Sequence, residues 1–392
     1  MPRSWLIALT GLVVVPWLIV AGVYFGEAPL APASHRAAIT PTIGAEPGPW
    51  GSLTVTPIVI SPPLEYVSTD DGPDGPPRWY FPGASPDQVQ ALLVSSGLEV
   101  STAARIRATL RPEPRLAGVV ASPDPEVVRA LSPEARARVY GLLASVPYNA
   151  PQAHSYRFLG GSVDRWLDGT LMRPATRALV EPLMYRDGAV WHFADLGLVE
   201  AGLGDDEERR RLRKTLLRQS TVLVRLGVDA ADEVGGLAEY WGRGGRKTDL
   251  RPLLESVAGA GPDGSIDVVH LLPAFARNFL YRYPKLTAAD FDKPVIANCL
   301  WTALNFFEPH PDSRFLDVGH ALETLKTDYY VVESGFQLGD VVAFLDAEGD
   351  LYHAAVYLAD DLLLTKNGTS PMAPWLILPT EQVVDYYRSR AA

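Results

Sequence analysis

An uncharged apolar run near the N-terminus constrains this chain more than any other feature. The 21-residue run Trp5–Phe25 contains no charged side chain. As an α-helix it would extend roughly 31 Å, which is close to the thickness of the hydrocarbon core of a bilayer. Arg3 precedes the run and Glu27 follows it, an arrangement that favours a cytoplasmic N-terminus. Residues 1–25 are therefore predicted to form a transmembrane signal anchor, giving a single-pass membrane protein whose bulk is extracytoplasmic.

Cleavage of this segment is the alternative. Ala31-Pro32-Ala33 has the small-x-small form of a processing site, and cleavage near Ala33 would release a secreted protein. The stretch 26–77 is rich in Pro, Gly, Ala and Ser, a composition typical of an extended tether that adds nothing to a core. Ser52–Ile60 is the one plausible strand within it.

Composition limits the classes of function. The 392 residues carry a net charge of −11, which argues against a nucleic-acid partner because phosphate affinity comes mainly from clustered Lys and Arg. The single cysteine, Cys299, allows no internal disulfide. We expect no metal and no cofactor, because the sequence has neither His-Glu-x-x-His nor paired-cysteine spacing. The oligomeric state is left open.

Two patterns divide the remaining chain. Residues 78–290 contain repeated helix starts, such as Ser85-Pro86-Asp87 and Ser132-Pro133-Glu134, in which a capping hydroxyl precedes proline. They are predicted to form a mostly helical domain. Residues 291–392 instead begin with one helix, followed by apolar segments joined by short Gly- and Asp-containing turns, which favours an antiparallel meander. The predicted fold class is α+β.

Cys299 lies at a helix start. Asn298 is a natural N-cap for the apolar segment that follows it, so the thiol would lie in the first turn. Free backbone N–H groups and the positive end of the helix dipole stabilise a thiolate there. A buried structural cysteine is the alternative interpretation.

The order of elements after Cys299 resembles that of the NlpC/P60 cysteine peptidases. Gly339-Asp340 begins one strand, and His353 lies in the next, followed by small and aliphatic residues through Leu358. The resemblance covers about residues 293–370 and implies a papain-like helix packed on an antiparallel sheet. The family favours Asp-Cys-Ser-Gly around its nucleophile, whereas this chain has Asn298-Cys299-Leu300-Trp301.

The resemblance implies a catalytic set. Cys299 would attack the carbonyl as a thiolate, and His353 would first stabilise that thiolate as an imidazolium and then protonate the leaving amine. The third residue of the family falls near Thr365-Lys366-Asn367. Asn367 is predicted to orient the imidazole, as the third member does in Cys-His-Asn arrangements, and Thr365 is the alternative.

The leading hypothesis is a membrane-tethered extracytoplasmic thiol hydrolase that cleaves an amide bond. The resemblance implies a cell-wall stem peptide as substrate. The N-terminal apolar helix is expected to bind the chain to the membrane. One alternative is a non-catalytic envelope protein that uses a papain-like fold for binding or scaffolding. An acyltransferase that uses the same thiol is another.

Overall fold

The structure is a computed structural model that describes residues 43–68, 77–228, 234–261, 263–285, 297–368, 370 and 372–391. The strands are β1 Ile43–Gly44, β2 Ser52–Ile60, β3 Trp79–Phe81, β4 Arg111–Glu113, β5 Gly118–Ala121, β6 Tyr156–Leu159, β7 Tyr185–Asp187, β8 Val190–Phe193, β9 Gln219–Gly227, β10 Ser265–Asp267, β11 Val341–Leu345, β12 Leu351–Ala359, β13 Leu362–Lys366 and β14 Trp375–Pro379.

The α-helices follow the same chain order. They are α1 Pro86–Ser95, α2 Val100–Ala108, α3 Pro125–Arg129, α4 Pro133–Ala144, α5 Ala150–Ala153, α6 Val163–Leu167, α7 Pro174–Val180, α8 Leu196–Glu200, α9 Asp206–Leu216, α10 Val234–Trp241, α11 Lys247–Ala258, α12 Ala274–Phe279, α13 Cys299–Leu304, α14 Val318–Asp328 and α15 Thr380–Ala391. The helix starts predicted at Ser85 and Ser132 are confirmed, because each hydroxyl accepts a backbone N–H from the first turn.

The strands form antiparallel sheets. Two sheets have four strands, in the orders β1-β2-β9-β10 and β11-β12-β13-β14. Two smaller sheets have three strands, in the orders β3-β5-β4 and β6-β8-β7. The meander predicted for the C-terminal part is confirmed, since β11 through β14 pair with their sequence neighbours.

The segment predicted to be a tether contributes a central strand. All nine residues of β2 pair with β9, from Ser52 opposite Gly227 to Ile60 opposite Gln219. Leu53 is only 2% exposed and packs in the core beneath this sheet. The predicted tether, 26–77, is therefore wrong for residues 52–60. The strand itself was anticipated, but composition did not indicate that it pairs with β9 along its whole length.

The middle region combines its helices with short strands. Six short strands, β3 to β8, lie among its helices, and all of them except β4 share one apolar core with α1, α4 and α9. Each of these strands has only three or four residues. Runs this short carry too little alternation to be separated from helix by periodicity, which is why the sequence predicted helix for the region.

The predicted fold class therefore needs correction. The described chain mixes helix and sheet and is α+β, with short strands among the helices of its middle part. Within the described ranges, no helix is long and apolar enough to cross a bilayer. The transmembrane helix predicted for residues 1–25 lies outside those ranges.

The predicted boundary at 290 also crosses a continuous core. Leu53, Val222 and Leu237 belong to the same apolar cluster as Leu300 and Val356. A buried hydrogen-bonded link reinforces it: the Thr221 hydroxyl donates to the Ile377 carbonyl at 2.8 Å and accepts from the Ile377 N–H at 3.1 Å. The C-terminal sheet thus folds against the β2–β9 sheet.

The sheet β11–β14 is covered on both faces. Ala354, Val356 and Leu358 of β12 share a core with α13, whereas Ala355 and Tyr357 lie in a second cluster with residues of α15. This division follows from the two-residue period of a strand. Side chains of β12 and β13 are consequently buried whichever face they occupy.

Replacement of Leu53 by alanine tests the role of β2. Leu53→Ala should lower the free energy of unfolding by about 2 to 5 kcal/mol, the usual cost of truncating a buried leucine. Ile43→Ala is the matched control, because Ile43 is 60% exposed and its replacement should change stability by less than about 0.5 kcal/mol. Urea unfolding measures both. Equal stability of the two variants would show that β2 does not belong to the core.

Candidate active site

Cys299 is the first residue of α13, as predicted. The Asn298 side chain accepts the Trp301 N–H at 2.9 Å and caps the helix. Trp301 turns into an aromatic cluster with Phe275 and Trp375. The Trp375 indole donates to the Thr302 hydroxyl at 2.9 Å, which fixes the helix against β14. Cys299 is thereby held at a defined point on the sheet.

Burial dominates the chemistry of the thiol. Cys299 is partly buried, and desolvation raises the pKa of its thiol above the ordinary value. The backbone N–H groups of Ala354, Leu300 and Cys299 and the charge of Lys366 act in the opposite direction. Burial therefore acts against the thiolate that the helix start favours.

His353 lies in the interior of β12. It is 1% exposed, its ring stacks on Tyr387 of α15 with centroids 4.3 Å apart, and the Phe344 ring lies 5.7 Å away. The Nε2 atom is 2.7 Å from the Thr365 hydroxyl oxygen on the neighbouring strand. The imidazole is thus fixed by both packing and a hydrogen bond.

Thr365 links His353 to Asn367. The Thr365 hydroxyl donates to Asn367 Oδ1 at 3.0 Å. A threonine hydroxyl has one proton, so its oxygen must accept at the imidazole, and Nε2 carries the proton there. Thr365, considered above as the alternative third residue, is therefore the direct partner of His353. Asn367 is linked to His353 through the Thr365 hydroxyl.

Cys299 and His353 meet β12 at adjacent residues. The Ala354 N–H, which directly follows His353, acts on the sulfur of Cys299. The two side chains pack in different clusters, however: Cys299 lies against the α13-side core, and His353 lies against Phe344 and Tyr387 on the α15 side. The structure therefore brings His353, Thr365 and Asn367 into one hydrogen-bonded chain and places Cys299 beside that chain.

Lys366 is a further residue of the site that sequence reasoning did not single out. It is 1% exposed, its Nζ donates to the Ser370 carbonyl at 3.0 Å, and it lies 5.3 Å from the centroid of the Trp375 ring. Burial lowers the pKa of Lys366 to about 8, while the charge of Cys299 raises it. The sequence did contain a signal for it. Lys366 follows Leu362 and Leu364 at two-residue spacing, so the three side chains point to the same face of β13, which packs in the core.

The Gly339-Asp340 pair sets the start of β11. Gly339 has φ +93, and a Cβ there would lie 2.1 Å from the Phe307 ring, so glycine is required for both conformation and space. Asp340 accepts the Gln337 N–H at 2.8 Å, and its carbonyl accepts the Tyr357 N–H at 2.8 Å. These bonds hold β11 against β12, the strand that carries His353.

A pocket of about 150 Å³ opens beside Asn367. Its described walls come from the end of α5 through β6, from the start of β9, from the chain between β13 and β14, and from α15. Among the described residues, no group of three or more His, Cys, Asp and Glu side chains could hold a metal ion.

Comparison with known proteins adds no relative. No protein-family model matches the chain, and neither curated proteins nor solved structures give a match.

Proposed function

We propose that this chain is a thiol hydrolase that cleaves an amide bond through Cys299 and His353. The observation that supports the proposal best is the buried hydrogen-bonded chain from His353 Nε2 through Thr365 to Asn367. A chain of this kind fixes one tautomer of an imidazole, which is what a general base beside a nucleophile needs. Cys299 lies next to the residue that follows this imidazole.

The raised thiol pKa selects a general-base mechanism. Cys299 begins as a thiol, and the reaction requires an arrangement that differs from the resting one, because His353 lies on the α15 side of the sheet and Cys299 on the α13 side. Once His353 Nδ1 reaches the sulfur, it takes the thiol proton while the sulfur forms a bond to the amide carbonyl carbon. The imidazolium then gives this proton to the leaving nitrogen as the C–N bond breaks, leaving a thioester. Water, deprotonated by the same Nδ1, hydrolyses the thioester and restores the thiol.

Backbone N–H groups at the start of α13 supply the oxyanion stabilisation. Those of Cys299 and Leu300 act on the sulfur in the resting state. In the tetrahedral intermediate the negative charge is on the former carbonyl oxygen, and donors already fixed in place stabilise it without reorganisation.

A non-catalytic binding or scaffolding protein is the second candidate. The raised thiol pKa and the 1% exposure of His353 favour it, because a working site must admit substrate. The two candidates differ in what His353 does. In an enzyme its loss abolishes turnover while the fold survives, whereas in a scaffold its loss affects only stability.

Substrate and location are proposed on sequence alone. The resemblance to NlpC/P60 peptidases in residues 293–370 suggests a cell-wall stem peptide. Extracytoplasmic location and membrane association rest on residues 1–33, which lie outside the described ranges.

Alkylation of Cys299 tests the state of its thiol. Because burial raises the thiol pKa, iodoacetamide should react slowly at pH 6 and 7. The rate should rise with an apparent pKa above about 8.5, the value of a free cysteine. Lys366→Met should slow the reaction at each pH, since it removes a charge that lowers the thiol pKa. Lys247→Met, at a surface ion pair with Glu239, should leave the rate unchanged. Rapid alkylation at pH 6 would contradict a protonated thiol.

Substitution of the hydrogen-bonded chain tests catalysis. With a stem-peptide amide as substrate, Cys299→Ala should lower kcat/KM by more than about 10³-fold and His353→Gln by about 10²- to 10⁴-fold. Thr365→Val should cost about tenfold or more, because it leaves the imidazole without its tautomer-fixing partner. Asn367→Ala should cost less, since it acts through Thr365.

His320→Gln is the matched control, because His320 lies on α14 away from these residues. Thermal melts of each variant separate loss of fold from loss of chemistry. Full activity of a folded His353→Gln protein would exclude the hydrolase. Transfer to an added amine in preference to water would identify an acyltransferase.

A further inference from the structure

β11 is an outer strand of the sheet that carries His353. In the strand order β11-β12-β13-β14, the other outer strand, β14, is held by the hydrogen bonds between Ile377 and Thr221 of β9. Within the described ranges, the only strand that pairs with β11 is β12. The outer side of β11 is therefore an edge that no described strand occupies.

The alternation of the ladder shows which backbone groups of β11 face outward. The Tyr357 N–H donates to the Asp340 carbonyl at 2.8 Å. Backbone groups of an antiparallel strand point alternately toward the partner strand and away from it. Two residues beyond Asp340, those of Val342 again face β12, so the N–H and C=O groups of Val341 and Ala343 point outward. No hydrogen bond from another described element reaches them.

β11 lacks the features that usually protect an edge strand. Its sequence, Val-Val-Ala-Phe-Leu, contains neither a charged residue nor a proline. The shift in its register lies at its end, between Phe344 and Leu345. Lysine, proline and bulges are the common means of blocking an edge. Ala343 is exposed and Leu345 is 54% exposed, so an incoming strand meets apolar side chains together with the outward backbone groups.

The surroundings of this edge are negatively charged. Residues 327–365 include eight acidic residues and no Lys or Arg. Asp340 precedes β11, and Glu348 and Asp350 lie in the turn that follows it. As far as the chain is described, Asp340 is the only one of the eight in an ion pair, with Arg243 at 3.8 Å. Pairing of two copies of β11 would bring these acids together, and such like-charge contacts are unfavourable.

We infer that the outer edge of β11 binds an extended peptide segment with lysine or arginine on either side of a short apolar stretch. Its backbone adds a strand to the sheet at Val341 and Ala343, the mode of recognition called β-augmentation. Its cations lie near the acids at the two ends of β11. Binding requires neither the Cys299 thiol nor the His353 imidazole and is therefore independent of the proposed hydrolase activity.

Three capped peptides probe this edge. Acetyl-Lys-Val-Thr-Val-Lys-amide should bind to the full chain at pH 7, as measured by ligand-observed NMR. The same peptide with glutamate in place of both lysines should bind at least about fivefold more weakly at low salt, and added salt should reduce the difference. A basic peptide methylated on its two central peptide nitrogens should bind at least about tenfold more weakly, because whichever side faces β11 loses an N–H donor.

Ala343→Pro tests the edge in the protein. Proline removes an N–H that points away from β12, so the sheet should stay intact while binding of the basic peptide weakens at least about tenfold. Ala343→Thr keeps this N–H and is the matched control, which should bind as wild type does. Cys299→Ser should also bind as wild type does, which separates this surface from the catalytic proposal.

A second pair of variants tests the charge. Glu348→Gln combined with Asp350→Asn should weaken binding of the basic peptide at least about threefold at low salt. Glu65→Gln combined with Glu126→Gln removes the same charge from exposed positions in the N-terminal half of the chain and should leave the affinity unchanged.

Thermal melts and size-exclusion chromatography complete the test. If Ala343→Pro does not fold, the methylated peptide decides the role of the backbone. The proposal would be overturned by no binding of the basic peptide, by equal binding of the basic and acidic peptides, or by wild-type affinity in folded Ala343→Pro. A wild-type dimer that Ala343→Pro dissociates would place a second copy on this edge and would also overturn it.

Discussion

Burial of the sheet β11–β14 on both faces is the constraint on which the site depends. α13 covers one face and α15 covers the other, so a polar side chain of β12 or β13 has no access to bulk water and must find a partner within the protein. His353 and Thr365 satisfy this requirement together on the α15 side. Lys366 satisfies it on the α13 side through the Ser370 carbonyl and the Trp375 ring. One sheet thereby holds an oriented imidazole on its α15 side and an ammonium group near the Cys299 thiol on its α13 side.

The same burial determines how the thiol can react. A helix start and a neighbouring cation both favour a thiolate, but desolvation of the partly buried thiol is the larger effect and raises its pKa. A protonated thiol gives the imidazole a definite task, which is to remove a proton during attack. The lowered pKa of Lys366, about 8, has the same origin, because low polarity disfavours charge on either group.

Local sequence predicted the local geometry of the site well. The capping role of Asn298 and the meander after Gly339 follow from short-range rules, and the structure confirms both. The identity of the direct imidazole partner did not follow. Thr365 and Asn367 lie two residues apart, and only the pairing of β12 with β13 decides which of them reaches Nε2.

Pairing between strands that are distant in sequence was the other feature that could not be predicted. β2 was recognisable as a strand, but its partner β9 is more than 150 residues away in sequence, and no local pattern links them. The short strands β3 to β8 were hidden for a related reason, since each is stabilised by its neighbours and by a shared core more than by its own propensity. Amino-acid composition therefore does not show which strands pair with one another.

The tautomer of His353 tests the account most directly. Nitrogen-15 NMR of the histidine side chains at pH 7, with the His353 signals assigned by comparison with His353→Gln, reports which ring nitrogen carries the proton. The hydrogen-bonded chain through Thr365 and Asn367 predicts a protonated Nε2 and an unprotonated Nδ1, with Thr365→Val shifting the Nε2 signal. A proton found on Nδ1 would leave no base for the Cys299 thiol and would contradict the account.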